Sequence, residues 1–588
     1  MASRTEGEAT GSRRRWARLA VLGAAGALAV LAALLVPPWF AALVPAGAQR
    51  RAKAAVLVAA QPIYGTALAI DLVALVLLAR VVLRGRRRRE RRPLAARLLL
   101  LCGAVLVASL LAEGAAAARR ALRPRSGPLP TLPTRFEAGP ADEVNVVVIG
   151  GSSAYGLPFE RWLSTGHIVA WQLGRAIPGK RFRLDVLAEL GATLQAAHEK
   201  LAGYRRRPDL LIIYSGHNEF ATRDNWARGI AHYADDRPAG GPGRVLGDLA
   251  RRASPLCRTF QEAVDAAGLG EPPPREVTRA LVDVPCCRPD EYRERLDDYR
   301  RRLEALVAHG ERLGTLAVLV VPPANDADFE PNRSYLAPST TPAARRAFDV
   351  RFRAARALEA ADPAGAIASY RALIAEQPSF AESHYRLAQL LDRRGDRDEA
   401  YREYVAARDR DGLPMRCPSD FQEVVREVAR RHPRAAVLAD GQAACRAAGP
   451  RGLLDDHLFL DAMHPNVAGH CVLATAILDA LRARRAFGWP EATPTPRVDP
   501  AEATRHFGMD PRSWATACEW CARFYELTAY IRHDPADRLA RIRRFREATR
   551  RIVAGTPPGS LGPPGIGDPA PDVAGAPGVD PGGIPRPR

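Results

Sequence analysis

Four short stretches of this chain carry groups that could do chemistry together. The first reads Ile149-Gly150-Gly151-Ser152-Ser153-Ala154-Tyr155-Gly156, the second Leu190-Gly191-Ala192-Thr193, and the third Ser215-Gly216-His217-Asn218-Glu219. The last, near the end, reads Asp461-Ala462-Met463-His464-Pro465-Asn466. A serine hydroxyl is a poor nucleophile at neutral pH and needs a base within hydrogen-bond reach. His464 can take that proton and return it to a leaving alcohol. Asp461, three residues earlier, can hold one imidazole nitrogen and stabilise the imidazolium. The backbone N–H groups of Ser152 and Gly191 and the side-chain amide of Asn218 can supply three donors to an oxyanion. Glycine at 191 leaves that oxyanion uncrowded.

Each piece alone has a plainer reading. Ser152 could be a turn residue and Asn218 a local turn former. His464 could cap the helix that Pro465 opens, and Ser153 is a rival nucleophile one residue on. His217 and Glu219 read as structural. The order of the pieces, and the elements they follow, favour the chemical reading.

Those elements alternate. Short β-branched or apolar runs at 144–149, 182–190, 209–214, 315–321 and 435–439 read as strands, and helix-period segments such as 161–176, 193–204 and 291–313 separate them. Buried parallel strands read as continuous apolar runs, and this alternation predicts an α/β domain with a parallel sheet. Sites in such sheets lie beyond the carboxyl ends of the strands. Three of the four stretches stand there.

With those blocks in place, the chain resembles the SGNH or GDSL-type hydrolases, a superfamily of esterases and acylhydrolases. The resemblance covers about 142–345 and 413–490. It implies a three-layer α/β/α sandwich, Ser152 as nucleophile with Asp461 and His464, an oxyanion hole of Ser152, Gly191 and Asn218, and no metal or organic cofactor. The family's Gly-Asp-Ser is here Gly150-Gly151-Ser152, and Gly-x-Asn-Asp is here Gly216-His217-Asn218-Glu219. The activity implied is ester hydrolysis on a small molecule, lipid or glycan through an acyl-enzyme. The alternatives are acyl transfer to or deacetylation of an envelope polysaccharide, and an inactive scaffold.

The rest of the chain sets the context. Residues 346–412 resemble a tetratricopeptide pair: Ala366 and Ala400, like Tyr370 and Tyr404, stand 34 residues apart, the period of that repeat. Such an insertion could recruit a protein partner or serve only as architecture. Residues 119–141 read as a Pro/Arg linker, 491–554 as a helical extension and 555–588 as a disordered Pro/Gly tail.

Residues 1–118 read as a membrane anchor. Apolar runs at 19–36, 54–79 and 98–111, the last extendable to 118, match the roughly 20 residues needed to cross a hydrocarbon core. Arginines 13–15 and 18 precede the first run, and seven more lie between 84 and 92. Basic loops stay cytoplasmic, so three spans place the large domain outside the cytoplasm of a bacterial-type inner membrane. If the third run does not cross, that domain is cytosolic.

The net charge of +20 does not argue for nucleic acid. Lys53, Lys180 and Lys200 are the only lysines among 85 basic residues, a skew typical of coding bias, and much of the excess flanks the apolar runs. Nine cysteines permit disulfides but fix no pairing. Cys518-Glu519-Trp520-Cys521 lacks the context of a redox pair and reads as a structural disulfide or buried thiols. Zinc is disfavoured for want of a second ligand pair.

Overall fold

The computed structural model describes residues 92–122, 129–137, 142–160, 162–220, 289–337, 339–529 and 531–558, with scattered positions within 73–80, 140, 254–259 and 281–287. The chain divides into two compact units, one of 1–124 with 236–273 and one of 125–235 with 274–588.

In the first unit a helix, α1 (Arg92–Leu122), contains a stretch Leu100–Ala118 of 19 residues and mean hydropathy 2.0, long and apolar enough to cross a membrane. Leu100, Leu110 and Leu111 of this helix are exposed. The carboxylate of Glu113 accepts from Ser254 Oγ (2.5 Å) and Leu256 N (3.0 Å). The two earlier apolar runs lie outside the described residues, apart from a few positions at the end of the second, as does the C-terminal tail beyond residue 558.

The second unit is an α/β domain on five parallel strands: β1 (Glu143–Gly150), β2 (Arg181–Val186), β3 (Leu210–Tyr214), β4 (Leu316–Val320) and β5 (Ala436–Ala439), in the order β2-β1-β3-β4-β5. Register pairs Val148 with Val186 on one side and with Ile212 on the other. The run 182–190 is strand only as far as Val186; from Leu187 the chain turns to carry Gly191.

Side chains alternate across a strand, and here each face meets its own core. Val146, Val148, Leu210, Ile212, Val318 and Val320 face one way. They pack against α3 (Thr165–Ala176), which follows the short α2 (Ser152–Tyr155), and against α12 (Val467–Ala483). Val147, Ile149, Leu211, Ile213 and Leu319 face the other way, against α4 (Leu194–Ala202), α5 (Pro289–Leu313) and α10 (Ser419–Arg431). The inner strands β3 (LLIIY) and β4 (LAVLV) are apolar throughout because both faces are covered, whereas the edge strand β2 (RFRLDV) alternates charged and apolar residues.

Between β4 and α10 stand four helices joined by short loops: α6 (Pro342–Leu358), α7 (Pro363–Glu376), α8 (Ala381–Arg394) and α9 (Arg397–Asp409). The first begins a few residues before the expected boundary at 346. Ala366, Tyr370, Ala400 and Tyr404, the positions spaced by 34, are all buried in one apolar cluster with Phe348, Phe352 and Phe380. After β5 and α11 (Gly441–Ala448) come α12 and a C-terminal group of α13 (Pro500–His506), α14 (Pro511–Ala529) and α15 (Ala536–Val553), which joins the first core.

The loop after β4 ties these parts together through arginines buried in the interior. Arg408 at the end of α9 pairs with Asp326 at 3.1 Å. Arg532, between α14 and α15, reaches both Glu382 oxygens at 2.9 Å and Pro331 O at 2.7 Å. Arg538 donates to Asn332 Oδ1 and Glu330 O, both at 2.9 Å. Buried ions persist only where every charge is matched. These are matched by carboxylates or backbone carbonyls.

Candidate active site

The β1 strand stops at Gly150, and the next residues form the four-residue turn of α2. Gly150 lies against β3: a Cβ there would stand 1.8 Å from Tyr214 O. Ser152 opens the turn, and a first-turn N–H has no intrahelical carbonyl to bond, so its amide is available to a ligand. Ser152 Oγ lies 2.7 Å from His464 Nε2. His464 Nδ1 lies 2.8 and 2.9 Å from the Asp461 oxygens. Asp461 is fully buried and also accepts the N–H groups of Met463 and His464, each at 3.0 Å. Those bonds curl residues 461–464 into one turn and hold both side chains on the same side.

The plainer readings can be tested against neighbouring bonds. Ser153 Oγ donates to Met463 O at 2.9 Å, so this hydroxyl pins the histidine loop rather than facing the imidazole. The cap of α12 is Asn466, whose Oδ1 accepts Gly469 N at 2.9 Å, which leaves His464 outside the helix.

Gly191 sits in the left-handed region at φ +72°, where a side chain is strained. A Cβ at 191 would meet nothing within 4 Å, so the backbone conformation demands the glycine, not protein packing. Asn218 is buried and donates Nδ2 to Ala192 O at 3.1 Å, which keeps one of its two amide protons on the 191–193 turn. The same amide presses on the residue before the serine: a Cβ at Gly151 would stand 2.4 Å from Asn218 Nδ2 and 3.0 Å from Ala192 O. The backbone of Gly151 (φ −91°, ψ −162°) suits any residue. Space, not backbone conformation, restricts position 151.

Two buried histidines flank the site in neutral form. His217 Nδ1 accepts Cys417 N at 3.1 Å, and His470 Nδ1 meets Thr165 Oγ1 at 2.9 Å. Burial pushes both down to about 3, with the nearby His464 adding to the effect.

Residue-by-residue reading missed the aromatic wall. Trp520 and Phe524, one helical turn apart on α14, stack on each other (5.7 Å, 20°) and meet the His464 ring edge to face at 4.9 and 5.6 Å. Tyr525 donates to Leu460 O at 3.3 Å. The extension thus packs on the loop that bears the imidazole. The i, i+4 spacing of two aromatics was visible, but not its target. Cys518 and Cys521, on the same helix, are buried, and burial raises both thiols well above their ordinary range. Among the described residues no group of three His, Cys, Asp or Glu side chains is placed to hold a metal.

No protein-family model matches the chain, and no curated protein does. Among solved structures it is similar to an alpha/beta hydrolase enzyme from the metagenome of Lake Arreo, Spain (15% identity, 57% of this chain and 94% of that one, TM-score 0.26). It is similar also to an acetylxylan esterase from Geobacillus stearothermophilus, at the same identity and coverage with a TM-score of 0.27.

Proposed function

We propose that this chain is a membrane-anchored serine esterase or acylhydrolase of the SGNH type, with its α/β domain outside the cytoplasm. The observation that carries this reading is the unbroken line Ser152 Oγ to His464 Nε2 to Asp461, at 2.7 and 2.8 Å, assembled from groups more than three hundred positions apart. The aromatic cover and the committed Ser153 hydroxyl add to it, because they leave one hydroxyl facing one base.

The reaction follows from these groups. Ser152 Oγ attacks the ester carbonyl while His464 Nε2 takes its proton. The carbonyl oxygen, now an anion, receives the N–H groups of Ser152 and Gly191 and the Asn218 amide. As the C–O bond breaks, His464 returns the proton to the leaving alcohol and the acyl group remains on Ser152. Water, deprotonated by His464, then attacks the acyl-enzyme and releases the carboxylic acid and free Ser152. Asp461 keeps Nδ1 protonated throughout and stabilises the imidazolium. No step calls for a metal or organic cofactor. The four-helix insertion is read as a tetratricopeptide-like pair built into the framework.

The test is labelling of the full chain by a fluorophosphonate, with loss of the label in Ser152→Ala and His464→Gln. Labelling that survives in Ser152→Ala overturns the assignment. Acetate released from an acetyl ester in water alone identifies a hydrolase; leaving alcohol released only when a glycan acceptor is present, with the acetyl group recovered on the glycan, identifies an acyltransferase.

A further inference from the structure

The turn that carries Gly191 is held from outside itself. Residues 187–193 leave the end of β2 and lead into α4, and Gly191 faces solvent. Two adjacent side chains from the turn after β3 reach across to this segment. Asn218 Nδ2 donates to Ala192 O (3.1 Å), and Glu219 Oε1 accepts the N–H of Leu194, the first residue of α4 (2.9 Å). Thr193 Oγ1 caps the same helix by accepting Ala196 N, so Leu194 N–H depends on Glu219 for its bond. Glu219 is fixed in turn: Arg295 of α5 donates to its carbonyl oxygen at 2.9 Å, and Ser215 Oγ lies 3.4 Å from Oε1.

We infer that Glu219 is a positioning residue for the oxyanion hole, holding the Gly191 N–H in register with Ser152 by receiving Leu194 N–H. This rests on the reading of Ser152 as an acyl-transfer nucleophile. Backbone donors stabilise a developing oxyanion only when prealigned, and a displacement of about 1 Å is enough to cost ~10²-fold. Without Glu219, Asn218 alone spans from the β3 turn to the Gly191 turn, and Asn218 has its own amide proton to present. Burial pushes the Glu219 carboxyl up to about 7, against the Leu194 and Ser215 hydrogen bonds. What Leu194 requires is an acceptor oxygen, which the neutral acid also offers and which glutamine reproduces.

The experiment uses the full chain in detergent micelles with 4-nitrophenyl acetate as substrate and an arylboronic acid as tetrahedral mimic. Glu219→Ala is expected to lower kcat by about 10- to 100-fold with KM within twofold, and to weaken boronate inhibition by a similar factor. Glu219→Gln is expected to restore kcat to within about threefold of the parent. A role confined to folding would lower the melting temperature without splitting kcat from KM or moving the boronate.

Hydrogen exchange over residues 187–196 reads the clamp independently of turnover. It should quicken in Glu219→Ala and stay at the parental rate in Glu219→Gln. Parental kcat in the alanine variant, equal losses in both variants, or unchanged exchange in the alanine variant each overturn the inference. Quickened exchange in Glu219→Ala, with no Ser152-dependent turnover in the parent chain, would instead refute the esterase reading and leave the clamp standing.

Discussion

Restoring a side chain before the nucleophile should damage the site. In Gly151→Ala the new Cβ would lie 2.4 Å from Asn218 Nδ2, where ordinary heavy-atom contact begins at about 3.5 Å. Asn218 must therefore retreat by about 1 Å, and it cannot follow Ala192 O, which the same methyl approaches to 3.0 Å. A displaced oxyanion donor costs on the order of 10²–10³ in turnover, about 2.7–4 kcal/mol. Strain cannot produce the same loss, since the backbone of Gly151 is extended and open to any residue. The assay is kcat on 4-nitrophenyl acetate, with fluorophosphonate labelling as a check that Ser152 and His464 still meet. Turnover within threefold of the parent in Gly151→Ala would refute the crowding argument and with it the placement of Asn218.

Further outcomes follow from other contacts. Trp520→Ala removes an edge-to-face partner of His464, an interaction of about 0.5–1.5 kcal/mol. It should lower kcat by about 2- to 10-fold with little change in melting temperature, because Trp520 is only half-buried. Glu382→Gln strips the countercharge from buried Arg532, and removal of one member of such a pair costs about 3–5 kcal/mol, read in urea unfolding. His217 and His470 are neutral in the folded chain at about 3 against an ordinary 6.5, so their contribution is present above pH 6.5 and is lost as pH falls. Each should cost about 2 kcal/mol between pH 7 and pH 5. Burial also lowers His198 and His533 to about 4. His470→Gln should therefore remove only its own share, about 2 kcal/mol, of the acid-induced loss, and an unaltered slope would count against burial as its cause.

What could be read beforehand follows from the reach of each interaction. Strand β1 is legible because Val146, Val147 and Val148 form a β-branched run leading into two glycines; the roles proposed for Ser152 and Asn218 come from blocks at strand ends, and that for His464 from its spacing to Asp461. The sequence places the end of β2 too late because Leu187, Ala188 and Leu190 extend the pattern of apolar positions, although the strand ends at Val186. The arginine hub was not legible at all. Arg532 and Glu382 are 150 positions apart, Arg538 and Glu330 more than two hundred, and an arginine-rich composition hides which few go inside. Trp520 and Phe524 were hidden for the same reason: helical spacing announces a packed face but does not name the neighbour.

The loop after β4 is completed by side chains from the insertion and from the far C-terminal group. Arg541 of α15 is the last of these, bonding Asp328 O at 2.7 Å and Asp456 at 2.6 Å. A ribosome therefore releases Ser152 long before the framework around its base can close. On the proposed reading, Ser152 is expected to stay an inert alcohol during synthesis until Arg541 has emerged to make these bonds. Truncation anywhere before residue 541 should leave the earlier blocks intact in sequence and idle in practice.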